Sequence, residues 1–231
     1  VRKRACEKQN AFFLKIEEQL DSLYDRLVKN RTEQARILGF DSYTELGYLR
    51  MQRNSYGREQ VENLRRQVKK YWVPFSEQLY ENRRNRLGVD HMYYADELVY
   101  GKEGNPQPKG TPEEILEQGR RMYSELSKET KEFFDFMMEN QLLDVFGRKT
   151  KAVGGYMTYI PDYHAPFIFA NFNGTSGDVD VITHECGHAF QGYLSALDPI
   201  REHADIGMET AEVHTMSMEF FTEHWYGLVF E

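Results

Sequence analysis

The chain has 231 residues, 40% hydrophobic and 29% charged, which suits globular structure with a substantial core. Its formal net charge of −8 and lack of any Lys/Arg cluster argue against a nucleic-acid partner. No apolar run reaches the roughly 18 residues of a membrane span, so no membrane is expected either.

In chain order, Phe13, Ile16, Leu20, Leu23, Tyr24 and Leu27 recur at steps of three and four, which predicts an amphipathic helix over 11–29. Asn30 is a candidate cap for a short helix ending at Gly39, and Asp41 for another running to about Arg53. Residues 58–86 predict a long helix with Val61, Leu64, Val68, Trp72, Phe75 and Leu79 on one side and a kink at Pro74. The Gly- and Pro-rich stretch 101–112 is a loop or linker. Thr111 and Pro112 then form a helix start, and 119–140 continues as helix, burying Met122, Leu126, Phe133, Phe136 and Met137.

Character changes after Gly147. Residues 151–173 are rich in Gly, Tyr, Phe and Ile, and 167–172 fits a strand. Asp178 to about Leu197 returns to helix, and a last helix begins near Gly207. The reading is mainly α with a small β element. It divides into a helical region 1–100, the loop 101–112 and a metal-binding region 113–231, taken as one continuous domain. Cys6 and Cys186 give no disulfide framework, and no signal peptide opens the chain, so a reducing, cytoplasmic setting is expected. The chain starts at Val1 and stops at Glu231 within a helical pattern, which predicts a piece of a longer protein.

Residues 184–188 read His-Glu-Cys-Gly-His. On a helix His184 and His188 share a face, two imidazoles at that spacing can grip one zinc ion, and Glu185 is placed to act on a water activated there. Catalytic zinc needs a third protein ligand and one open position. Leu194 and Gln191 rule out H-E-x-x-H-x-x-G-x-x-H, which leaves a downstream carboxylate. Glu209, Glu212 and Glu219 share one helical stripe, so one is expected to ligate and a neighbour to orient a histidine. Asp180, one turn before His184, is a second candidate for holding an imidazole. Cys186 lies about 200° around the helix from His184 and is read as a small buried residue. Gly187 is read as admitting a close-packed neighbour.

The stretch 178–190 with 209–219, together with Tyr156–Pro161, Phe167–Phe172 and more weakly Leu87–Asp90, resembles the zinc oligopeptidases, the family of oligoendopeptidase F, thimet oligopeptidase and neurolysin. The resemblance implies a helical zincin-like metallopeptidase with a small β element beside the H-E-x-x-H helix, one zinc ion per chain and short peptides as substrates. It places the zinc ligands on His184, His188 and Glu212, the catalytic acid–base on Glu185 and an outer carboxylate on Glu209. Segment 167–172 matches the stretch that pairs with substrate main chain, which makes Ala170 and Asn171 candidate contacts; His214, in the matching helix, joins them. Members are longer and supply oxyanion-stabilising Tyr and His residues from a C-terminal segment. By this resemblance the chain lacks that segment, and the isolated chain is expected to bind metal while cleaving slowly or not at all. Two other readings stand beside it. One is a non-catalytic helical fragment clamped by zinc, closed by a fourth ligand such as His214 or Cys186. The other is a metallohydrolase of a non-peptide amide.

Overall fold

Apolar residues at steps of three and four do produce helices throughout the first hundred residues. The computed structural model describes residues 1–230, and the chain divides into two units, Val1–Asn105 and Pro106–Glu231. In the first, α1 (Arg2–Lys15) and α2 (Glu17–Ile37) are separated by Ile16 alone, and α3 (Tyr43–Arg50) follows. The helix expected to begin at Asn30 does not; α2 runs through it, and Asn30 Oδ1 accepts a bond from Gln34 Nε2 at 2.7 Å. A side chain that can cap a helix can equally bond one turn along inside one. Gly39, at φ 83°, closes the end of α2 in the left-handed region.

The helices α4 (Arg58–Gln67) and α5 (Val73–Leu87) are joined by a π-helical turn over Val68–Trp72. Pro74 lacks an N–H and crowds the carbonyl one turn back, and the widened turn just before it accommodates both where a kink was expected. The apolar stripes form but are not covered within this unit. Leu23, Trp72 and Leu79 are 55%, 62% and 51% exposed, while Ala35 and Leu46 are its buried hydrophobics among the described residues. Periodicity decides which face is apolar, not what lies against it.

The second unit holds the core. α6 (Pro112–Leu126) opens on the expected cap: the Glu114 N–H donates to Thr111 Oγ1 at 3.3 Å and Glu114 Oε2 accepts from the Thr111 N–H at 2.7 Å. The helical pattern running to 140 is two helices, because Ser127 ends α6 and its hydroxyl caps α7 (Lys128–Glu139), accepting from the Thr130 N–H at 3.1 Å. This hairpin buries Met122, Tyr123, Phe133, Phe134 and Met137. Strands β1 (Leu143–Phe146), β2 (Tyr156–Ile160) and β3 (Ala165–Phe172) form one sheet in the order β1-β3-β2. β3 pairs parallel with β1 and antiparallel with β2, Ile168 standing opposite Leu143 on one side and Met157 on the other.

From the sheet the chain turns into α8 (Gly177–Ser195). Buried Asp178 fastens that turn by accepting the N–H groups of Asn173 and Gly174, both at 2.8 Å. α8 buries Ile182, Cys186 and Ala189 against the core and packs on β2 and β3; α9 (Met208–Thr222) lies along it, and α10 (Tyr226–Val229) follows. No helix among the described residues is long and apolar enough to cross a membrane.

Lys151 locks the sheet to its preceding loop. Its side chain is 1% exposed, and its ammonium donates to the carbonyls of Asp144 at 2.7 Å, Phe146 at 3.1 Å and Ala170, and to Asp144 Oδ1 at 3.0 Å. Lys151→Met would leave those carbonyls without that donor and should cost about 2–4 kcal/mol. The urea midpoint should fall accordingly; an unchanged midpoint would show the ammonium to be dispensable.

Candidate metal centre

The histidine pair sits on α8, and its partner helix comes unusually near. A Cβ built on Gly187 would lie 2.6 Å from Thr215 Cα, 3.0 Å from the His214 carbonyl oxygen and 3.1 Å from Thr215 N. Only a residue without a side chain lets the α9 backbone rest there. Thr215 is fully buried at this contact, and its hydroxyl stands 3.0 Å from both the carbonyl oxygen and Oε2 of Glu212. The close approach and that hydroxyl together set the Glu212 carboxylate opposite the two imidazoles.

The donor atoms of His184, His188 and Glu212 all lie within 4.8 Å of one another. Glu212 Oε2 is 3.3 Å from His184 Nε2 and 3.7 Å from His188 Nε2. Ligand atoms about 2.0 Å from a shared tetrahedral centre stand about 3.3 Å apart, so the set has the dimensions a zinc ion requires. The other ring nitrogen of His184, Nδ1, meets Glu219 Oε1 at 2.6 Å. Among the described residues no fourth His, Cys, Asp or Glu joins the group.

Glu185 is half-buried on the β2 side of α8. Its Oε2 is buried without a partner. Burial pushes its carboxyl above the ordinary value, the His184 charge opposing and the Glu212 charge adding to the rise. His188 is pushed down, first by burial and then by its neighbours His184 and His214, with Glu212 opposing. A neutral imidazole is the form that ligates metal.

The donor set can now be set beside known proteins. Residues 117–227, from α6 to α10, match the model of peptidase family M3 and contain the whole constellation. The match takes in a little under half of the chain. Similarity to solved structures extends over the full chain. A protein assigned as oligoendopeptidase F is 52% identical over 99% of this chain and 40% of its own, with a TM-score of 0.94. Another so assigned, from Bacillus anthracis str. Ames, is 52% identical over 100% of this chain and 42% of its own, TM-score 0.93. PZ peptidase A, solved with an inhibitor, is 51% identical over 99% of this chain and 41% of its own, TM-score 0.94. The chain thus spans about 40% of the length of these proteins. No curated protein matches.

Partial burial of the Asp180 carboxyl raises its pKa, the Glu219 charge adding and the His184 charge opposing, but the bond to His184 Nδ1 is made by Glu219. Glu209 is exposed at the start of α9, one turn before Glu212. Ala170 and Asn171 lie on the central strand, with β1 along one side. Ala170 is fully buried and its carbonyl accepts from Lys151, and the Asn171 amide donates to the carbonyls of Ala152 at 2.9 Å and Gly154 at 3.0 Å. The sheet's two edge strands are β1 and β2, and β2 is the one packed against α8, the helix of Glu185. His214 is about 200° around α9 from Glu212. It lines an apolar cavity of about 810 Å³ with Gly187, Phe190, Leu194, Met218 and Phe221. Cys186 is fully buried, and burial pushes its thiol far up.

Thr215 is the contributor that sequence reasoning does not name; it falls one helical step, three residues, after Glu212, which is the signal that could have found it, whereas Glu219 is already on the predicted carboxylate stripe.

Gly187→Ala tests the helix contact. The added methyl meets α9 main chain and should cost about 1–3 kcal/mol by overpacking. It should also weaken zinc binding at least about tenfold by carrying Glu212 away. Thermal denaturation and competition against a chelator would measure the two effects, and full zinc affinity in that variant would show that the helices need not touch.

Proposed function

We propose that this chain carries the zinc-binding, proton-transferring centre of an endopeptidase that hydrolyses short peptides. The observation that carries the reading is the convergence of His184 Nε2, His188 Nε2 and a Glu212 oxygen at tetrahedral spacing with no fourth protein donor among the described residues. A zinc ion held there would serve as a Lewis acid that polarises the scissile carbonyl and makes water a stronger acid. His184 and His188 would hold it through their imidazoles, and Glu212 would add a negative oxygen beside the Thr215 hydroxyl.

Glu185 is the acid–base. Its unpartnered Oε2 takes the proton of the attacking water and returns it to the departing amine, and a carboxyl pKa raised by burial brings its two protonation states closer together for that exchange. β2 is an edge strand lying against α8, and every second residue of an edge strand turns its N–H and C=O outward. An extended peptide can therefore add along β2 and pass the centre, a mode in which main-chain bonds tolerate many side chains. The zinc-clamp reading has less support, because Cys186 is buried on another side of α8 and His214 faces away from Glu212.

The test is metal analysis of the purified chain together with cleavage of a quenched peptide by a protein of the relatives' full length. One zinc per chain is expected. Glu185→Gln should retain that zinc and lose about 10²–10⁴-fold in turnover. Zinc-independent cleavage, or undiminished turnover in Glu185→Gln, would contradict the proposal.

A further inference from the structure

The imidazole of His184 has carboxylates from one stripe of α9 near both its nitrogens. Glu212 Oε2 stands 3.3 Å from Nε2, and Glu219 Oε1 stands 2.6 Å from Nδ1. Residues seven apart on a helix differ by only about 20° in direction, so the two acids project side by side, two turns apart, and bracket the ring. The contact at Nδ1 is the shorter by 0.7 Å and has the length of a charge-assisted hydrogen bond. A neutral imidazole owns one N–H, and an acid already bonded to it decides which nitrogen keeps the proton.

We infer that Glu219 is a positioning residue that fixes the proton of His184 on Nδ1 and so keeps the Nε2 lone pair aimed at the cation site. Its placement is built into the fold. On either side of it Met218 and Thr222 are buried, and the Thr222 hydroxyl lies 2.8 Å from the Met218 carbonyl and 3.0 Å from that of Glu219, anchoring the last turns of α9. The Thr215–Gly187 contact one turn earlier sets the distance to α8. Glu219 touches neither the cation position nor, on this geometry, the peptide; it acts through His184. Without it the ring could rotate or move its proton to Nε2, and either change removes a ligand.

This inference rests on the proposed role of His184 as a ligand, and the experiment separates the two. Imidazole ¹⁵N shifts of His184 are recorded in the metal-free wild-type chain, Glu219→Ala and Glu219→Gln at a pH where the ring is neutral, and zinc affinity is measured by chelator competition in the same three proteins. Wild type should show the Nδ1–H tautomer. Glu219→Ala should give a tautomer mixture and bind zinc about 10–100-fold more weakly. Glu219→Gln, whose amide oxygen can still accept the N–H, should restore the tautomer and most of the affinity. Circular dichroism of each variant checks that α8 and α9 remain folded, and the Gln variant keeps the test decisive if Ala does not fold. An unchanged tautomer in Glu219→Ala, or weakened binding in Glu219→Gln equal to that of Ala, would overturn the inference. A wild-type chain that binds no zinc would defeat the proposed function while leaving the tautomer comparison to decide the role of Glu219.

Discussion

The main-chain contact between Gly187 and Thr215 is the constraint from which the rest of the site follows. A helix pair normally keeps its axes 8–10 Å apart because side chains intervene. Here the middle of the motif has no side chain, and a Cβ at that point would fall 2.6 Å from the opposing Cα. A glutamate reaches only a few bonds from its own helix, so a carboxylate on α9 can share a point in space with two imidazoles on α8 only if the helices close in this way. The glycine of the pentapeptide is therefore as much a part of the donor geometry as the histidines beside it.

Once that spacing is set, α9 organises the centre by its own period. Glu212 faces the two Nε2 atoms, Thr215 one turn later supplies both the contact and the hydroxyl beside Glu212, and Glu219 a further turn on reaches His184 Nδ1. Three negative or partly negative groups and two imidazoles lie in a half-buried setting, where a divalent cation offsets their mutual repulsion. On the other flank the sheet contributes the free edge of β2, so Glu185 stands between the donor set and that strand.

Much of this was legible in the residues, and the misses have a common physical cause. The His184/His188 pair, the buried Cys186, the close neighbour at Gly187 and the strand at 167–172 follow from local periodicity, and so does the capped start of α6 at Thr111. Periodicity does not carry partner information. It could not say that β3 would be the middle strand or that four-residue β1 would exist at all. It could not separate Asp180 from Glu219 as the partner of His184 Nδ1, since both lie at helical steps from the site and only the antiparallel run of α9 decides. The same limit applies to the first unit, whose stripes at Leu23 and Trp72 form as the spacing requires and yet remain exposed.

The account stands on one shared cation between α8 and α9. The direct measurement is anomalous diffraction from crystals of the zinc-loaded chain. A single peak is predicted about 2.0–2.2 Å from His184 Nε2, His188 Nε2 and a Glu212 oxygen, with no fourth protein ligand. An ion whose ligands exclude Glu212, or one closed by a fourth side chain, would contradict it.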